Sequence, residues 1–134
     1  MGGFSPDYRK HCENAANIRN KVDTTYNIPL FPTVSIGWDD TPRFPAKGRE
    51  HATCMNQSPE VFAEYLSIAK DYADAHVHEQ PKFIMINAWN EWAEGTYLEP
   101  DTDHGYGYLE AIKRIVDMEE TLKVNVNDLA TLTA

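Results

Sequence analysis

Cysteine is scarce in this chain: Cys12 and Cys54 are the only two among 134 residues. Two thiols do not make the disulfide framework of a small secreted scaffold, and a reduced pair in the cytoplasm is the expectation. Long apolar runs are missing as well. No stretch nears the roughly 20 residues that span a bilayer, and the first residues lack the apolar core of a signal peptide. Met1-Gly2 is followed by Pro6 where a myristoylation pattern needs Ser or Thr. Basic residues are also few. Lys and Arg total 12 against 21 Asp and Glu, a formal net charge of −9. That balance disfavours nucleic acid and anionic membranes, which both need a basic footprint, and it suits a neutral polyol or sugar. No internal repeat, linker or low-complexity segment is apparent.

What remains is the composition of a globular chain, with 42% apolar and 11% aromatic residues, enough to exclude disorder and long enough for one small domain. Its most informative stretch is Lys82 to Pro100. Phe83 to Ile86 is a short apolar run of the kind that forms a strand buried on both faces. Within a few residues the character changes. Asn87, Trp89, Asn90, Glu91, Trp92, Glu94, Tyr97 and Glu99 crowd amides, carboxylates and large rings together, and Gly95 permits a turn. A buried strand opening into such a cluster fits a site at the carboxyl edge of a parallel sheet or barrel. Indole and phenol faces stack on sugar rings, amides and carboxylates bind hydroxyls, and two carboxyl groups can act on a glycosidic bond. The plainer reading makes Trp89 and Trp92 packing residues and Glu91 and Glu94 solvated acids at a helix start. Against it stands the cost of placing so many polar groups beside an apolar strand.

Taken in order, Ser5-Pro6-Asp7 predicts a helix start, with a patchy apolar stripe of Tyr8, Ala15, Ala16, Ile18 and Val22. Leu30 to Ile36 reads as a strand whose first half Pro32 weakens. Behind it Gly37-Trp38-Asp39-Asp40-Thr41-Pro42-Arg43 forms a second polar and aromatic cluster, and residues 44–57 make a loop of functional length. Ser58-Pro59-Glu60 opens the clearest helix, with Phe62, Tyr65, Leu66, Ala69, Tyr72 and Ala73 along one face through Ala75. A connector from His76 to Pro81 leads to the strand at 82–88. An Asp- and Gly-rich loop follows it. A last helix is predicted from Tyr108 to Lys123, with Leu109, Ile112, Ile115, Val116 and Met118 inward, and then a weakly patterned tail. Helices alternating with strands specify an α/β fold with parallel strands, so both polar clusters land on the same sheet edge.

Glu91 and Glu94 lie three residues apart, a spacing that a tight turn brings to one side. Retaining glycosidases hold two carboxyls about 5–5.5 Å apart and inverting ones about 6.5–9.5 Å apart, and both remain open here. An acid role calls for burial of one carboxyl, most simply against Trp89 or Trp92. Trp38 reads as a ring-stacking platform or as core. Asp39, Asp40 and Arg43 read as hydroxyl binders, as residues that orient the glutamates, or as a solvated turn with an internal ion pair. His51, His76 and His78 with Cys54 match no zinc spacing, so no metal and no cofactor are expected. Asp101, Asp103 and His104 resemble a calcium loop only faintly.

The run Asn87-Ala-Trp-Asn-Glu-Trp-Ala-Glu-Gly-Thr-Tyr-Leu-Glu-Pro100, with Gly105 to Glu110 behind it and Gly37 to Arg43 before it, resembles WbsX-type proteins. These are glycosyltransferase-like and similar to glycoside hydrolase family ninety-nine, the endo-α-mannosidases and endo-α-mannanases. The resemblance covers about residues 30–115. It implies the C-terminal part of a (β/α)₈ barrel, about two βα units with a leading helix, and a carbohydrate-active protein of lipopolysaccharide or O-antigen metabolism acting on an α-mannoside-like substrate. It also implies that Glu91 and Glu94 are catalytic. Glu94 would be the general acid/base, and Glu91 would assist attack by the sugar's own 2-hydroxyl through an epoxide-like intermediate, with net retention and no metal. Trp38, Asp39, Arg43, Trp89, Asn90, Trp92, Tyr97 and Glu99 are the expected substrate contacts. Ala93 stands where the hydrolase motif carries His, which fits the WbsX-type branch and leaves both transfer and hydrolysis open. A full barrel takes about 250 residues, so residues 1–134 are expected to form a single partial domain. From that shortfall little activity of the chain alone is expected, and a missing barrel half, self-association, a sugar-binding role without catalysis, or an inactive truncated fragment of a larger enzyme all stay open.

Overall fold

The computed structural model describes residues 7–44, 46, 54–76 and 81–117. Helix α1 spans Tyr8–Thr25, strand β1 Thr33–Ser35, helix α2 Pro59–Ala75 and strand β2 Met85–Asn87. A small hairpin follows, made of β3 (Asn90–Glu91) and β4 (Thr96–Tyr97) around a single 3₁₀ turn at Trp92–Glu94. Residues 107–117 form the last helix, α3. The order of helices and strands and the parallel pairing make this an α/β chain.

The helix starts follow from the local sequence. Asp7 caps α1 by accepting the backbone N–H of Lys10 at 3.1 Å, so the cap is Asp7, one or two residues past the expected Ser5-Pro6, which lie outside the described residues. Ser58 caps α2 by accepting the N–H of Val61 at 3.3 Å, with Pro59 and the acidic Glu60 in the first turn. The apolar spacing in α2 buries Phe62, Ala63, Tyr65, Leu66, Ala69 and Ala73. In α1 only Tyr8 and Cys12 are buried, while Ala15 and Ile18 are exposed, against their place in the expected stripe. In α3 Tyr108 and Ala111 are buried and Leu109, Ile112 and Ile115 pack against the core as expected, while Val116 is exposed against its place in the expected inner face and Met118 lies outside the described residues.

β1 and β2 run parallel in the register Thr33↔Met85, Val34↔Ile86 and Ser35↔Asn87. The ladder is extended by Met85 N–H to Pro32 O at 2.9 Å and Ile36 N–H to Asn87 O at 3.0 Å. Pro32 can accept but not donate, which explains why the strand starts after it. One core joins Tyr8 and Cys12 of α1, Val34 and Ile36 of the β1 segment, the α2 face, Leu98, Tyr108 and Ala111. Phe62 is fully buried and meets Tyr108 edge-on, with ring centroids 5.5 Å apart. The expected burial of β2 on both faces does not hold. Phe83 is 60% and Met85 57% exposed, because a two-stranded sheet backed by α2 leaves the opposite face uncovered. Among the described residues, no helix is long and apolar enough to cross a membrane. The C-terminal tail, His51 and His78 lie outside the described residues.

Candidate functional site

Because β1 and β2 are parallel, both strands end at the same edge, and the two polar clusters follow them there. The clusters are tied together by main-chain bonds. The Asp39 N–H donates to the Glu94 carbonyl at 2.7 Å, which holds the loop after β1 against the hairpin turn. Gly95 makes this approach possible. Its φ is +58°, and a Cβ there would sit 2.9 Å from the Asp39 Cβ and 3.2 Å from its N and O. Thr96, fully buried, donates its hydroxyl to the Asn87 carbonyl at 2.6 Å and so fastens the hairpin to the end of β2. The peptide Asn87–Ala88 between them is cis. Leu98 and Glu99 both donate their N–H groups to the Trp89 carbonyl, at 2.9 and 3.2 Å, and close the hairpin.

The tight turn turns Glu91 and Glu94 to one side, as their spacing predicts. Arg43, from the end of the loop after β1, meets both. Its Nη1 lies 2.6 Å from Glu94 Oε1 and its Nη2 lies 3.5 Å from Glu91 Oε1. The Glu94 side chain is 18% exposed and that of Glu91 46%. The ring of Trp92, which stands between the two acids in sequence, is engaged elsewhere. It stacks on Tyr97, with ring centroids 3.7 Å apart and planes 16° from parallel, and donates Nε1–H to Glu99 Oε2 at 2.6 Å. Glu99 thus orients an indole, and one face of Trp92 is occupied by the phenol. Trp89 and Asn90 are exposed at the start of the hairpin, Trp89 by 55%. Burial and then a hydrogen bond to Asp101 push the Tyr97 hydroxyl up to about 12.

On the opposite loop, the Asp39 carboxylate accepts the Thr41 N–H at 2.9 Å, a turn-forming bond. Trp38 is half-buried and packs against the core, nearer to a core residue than to an open platform. The Asp101 carboxylate accepts the N–H groups of Asp103 at 2.9 Å and His104 at 2.5 Å. Burial works to raise the Asp101 carboxyl, and the His104 N–H, the Tyr97 hydroxyl and the Asp103 N–H together hold it below its ordinary value. The loop that resembled a calcium site therefore caps its own turn. Among the described residues, no group of three or more His, Cys, Asp and Glu is arranged to hold a metal ion.

A polar hollow of about 140 Å³ lies beside the hairpin, lined by Asp39, Gln57, Gly95, Tyr97, Asp101 and His104 among others. The acid pair is not part of its lining. A larger, mainly apolar hollow of about 410 Å³ lies away from this edge, between α1 and β1.

Sequence reasoning missed Thr96 and the bond it makes. A hydroxyl residue directly after Glu-Gly reads as part of a solvated turn, and only the hairpin pairing of Asn90 with Tyr97 and Glu91 with Thr96 buries it.

Residues 3–112 match the profile of the family described as Glycosyltransferase WbsX. The chain belongs to the WbsX glycosyltransferase family. Over 111 residues it is 39% identical to a protein of Xanthomonas campestris pv. campestris named as uncharacterized protein WxcX, and equally so to the protein of that name in strain B100 of the same organism. Each match covers 83% of this WbsX-family chain and 15% of the relative, so the chain spans a small part of the length of those proteins. No solved structure matches it.

Proposed function

We propose that this chain supplies the acid pair of a carbohydrate-active protein that acts on glycosidic bonds in surface-polysaccharide metabolism, with Glu94 as general acid/base and Glu91 as its partner. The observation that carries this reading is the convergence of both carboxylates on Arg43 at the shared carboxyl edge of two parallel strands, beside the exposed ring of Trp89. Membership in the WbsX family supports the polysaccharide setting. Glu94, the less exposed acid, suits proton transfer to a leaving oxygen, and Glu91, more open to water, suits activation of a sugar hydroxyl. An α-mannoside is the substrate class we favour. Trp89, Asn90 and the outer face of Trp92 offer stacking and hydroxyl contacts to its rings.

The same reading takes β1, α2 and β2 as successive elements of the C-terminal part of a (β/α)₈ barrel. The parallel register, the bare face carrying Phe83 and Met85, and the small share of the relatives' length support it. Buried, unpaired Cys12 and Cys54 fit a cytoplasmic setting. A second reading, sugar binding without catalysis, is favoured by one observation: Arg43 engages an oxygen of each acid.

The experiment is sugar release or transfer from α-mannan by the longest protein that carries this segment, compared with Glu91→Gln and Glu94→Gln. A loss of about 10²–10⁴-fold in Glu94→Gln is expected for a general acid. Rates unchanged by both substitutions contradict the assignment. Saturable heat from mannose oligomers without turnover favours the second reading.

A further inference from the structure

Arg43 stands 48 residues before Glu91 and 51 before Glu94 in the sequence, yet its two Nη atoms reach one oxygen of each. Both contacts end on Oε1, and neither Nη of Arg43 is bonded to an Oε2. A hydroxyl-binding arginine would present its fork outward. This one spends its fork inward, on the pair. Two carboxylates on one turn repel each other, and a planar guanidinium placed between them offsets that repulsion while fixing the angle between them. The main chain reinforces the geometry. Asp39 N–H binds the Glu94 carbonyl at 2.7 Å, so the loop carrying Arg43 and the turn carrying Glu94 are joined independently of the ion pair.

We infer that Arg43 is a positioning residue: it clamps Glu91 and Glu94 side by side with one oxygen of each aimed at the sugar, and it does not itself bind the substrate. This inference rests on the reading of Glu91 and Glu94 as the working pair. It places part of the site's assembly on the loop after β1, and it gives Arg and Lys different consequences at this position. A lysine is a point charge that can reach one acid but cannot span both in a plane.

The test has one arm that needs no activity. In the 134-residue chain labelled at arginine nitrogen, the clamp predicts slow rotation about the Arg43 Nε–Cζ bond, seen as separate Nη–H signals. Glu94→Gln should merge them, Glu91→Gln should broaden or shift them, and Glu99→Gln should leave them unchanged. Merged signals in the wild type, or signals indifferent to both Glu91→Gln and Glu94→Gln, overturn the inference. Arg43 is about half exposed, so Arg43→Gln and Arg43→Lys are expected to fold, with circular dichroism as the check. In the turnover assay Arg43→Gln should lower kcat about 10–100-fold with KM changed less than about three-fold, since misplacement of reacting groups costs rate. Arg43→Lys should recover part of the loss. A rise in KM at unchanged kcat would make Arg43 a substrate binder and overturn the inference. No turnover in any protein, with the Nη signals behaving as stated, counts against the acid-pair reading and leaves the clamp standing.

Discussion

Gly95 and Thr96 sit side by side and do opposite things to the hairpin. Gly95 lets the turn reach Asp39 because it has no Cβ, and Thr96 fixes the turn to β2 because it has a hydroxyl. Gly95→Ala places a methyl in a left-handed conformation against the Asp39 backbone. It should cost about 1–2 kcal/mol or more in denaturant unfolding, from the left-handed penalty alone. Thr96→Val keeps the shape and removes the bond to Asn87 O, an oxygen that still accepts the Ile36 N–H. Its cost should be close to that of one hydrogen bond, about 1 kcal/mol. A Thr96→Val loss as large as a core truncation would mean that the hairpin is held by something else. At this scale the sequence was readable in kind and not in partner. The Glu91 and Glu94 spacing announced a shared side, and the Gly announced the turn. Nothing in the local sequence announced that Trp92 would turn to Tyr97 and Glu99, because that choice depends on the β3–β4 register.

The elements themselves divide by how local their causes are. α2 was legible from end to end, since Ser58, Pro59 and the three-and-four spacing of Phe62, Tyr65, Leu66, Ala69 and Ala73 all lie within it. The strands were legible in position and overlong in extent. Leu30 and Phe31 are apolar yet lie outside the ladder, which Pro32 limits, and 82–84 likewise precede Met85. The hairpin strands were not legible at all, because two-residue strands carry no period. The stripe of α1 misled through Ala15 and Ile18, apolar residues left outside by the way α1 meets α2 and β1. These differences predict different costs. Phe62→Ala, fully buried against Tyr108, should destabilise the chain by about 3–5 kcal/mol. Ile18→Ala, at a residue 64% exposed, should stay within about 0.5 kcal/mol. Equal costs at the two positions would contradict the placement of the core.

For the whole molecule, the core carries an alkaline liability. Burial pushes the thiols of Cys12 and Cys54 up to about 11, and burial with Asp101 pushes Tyr97 to about 12. A group raised in the folded state contributes stability that is complete below its unfolded value and is lost as pH rises through its folded value. Stability should therefore decline from about pH 9, where unfolded thiols begin to ionise, and go on declining above about pH 10, where the hydroxyls of Tyr8, Tyr97 and Tyr108, all pushed up by burial, add to it. Replacing both cysteines with alanine should make the decline between about pH 9 and 11 shallower, with most of the change below about pH 10, read from denaturation midpoints at each pH. In the folded chain both thiols should also resist labelling at neutral pH. Indifference of the midpoint to pH across that range would contradict the burial of these groups.

The account as a whole depends on the hairpin at the strand ends being where sugar lands. The most direct measurement is a titration of mannose oligomers into the isotopically labelled chain, followed at the indole Nε1–H of Trp38, Trp89 and Trp92 and at the side chains of Glu91 and Glu94. The account predicts saturable shifts at Trp89, Trp92 and both acids together, with Trp38, packed against the core, moving less. No saturable shift at any of these groups, or shifts at the indoles that leave both acids untouched, would contradict it.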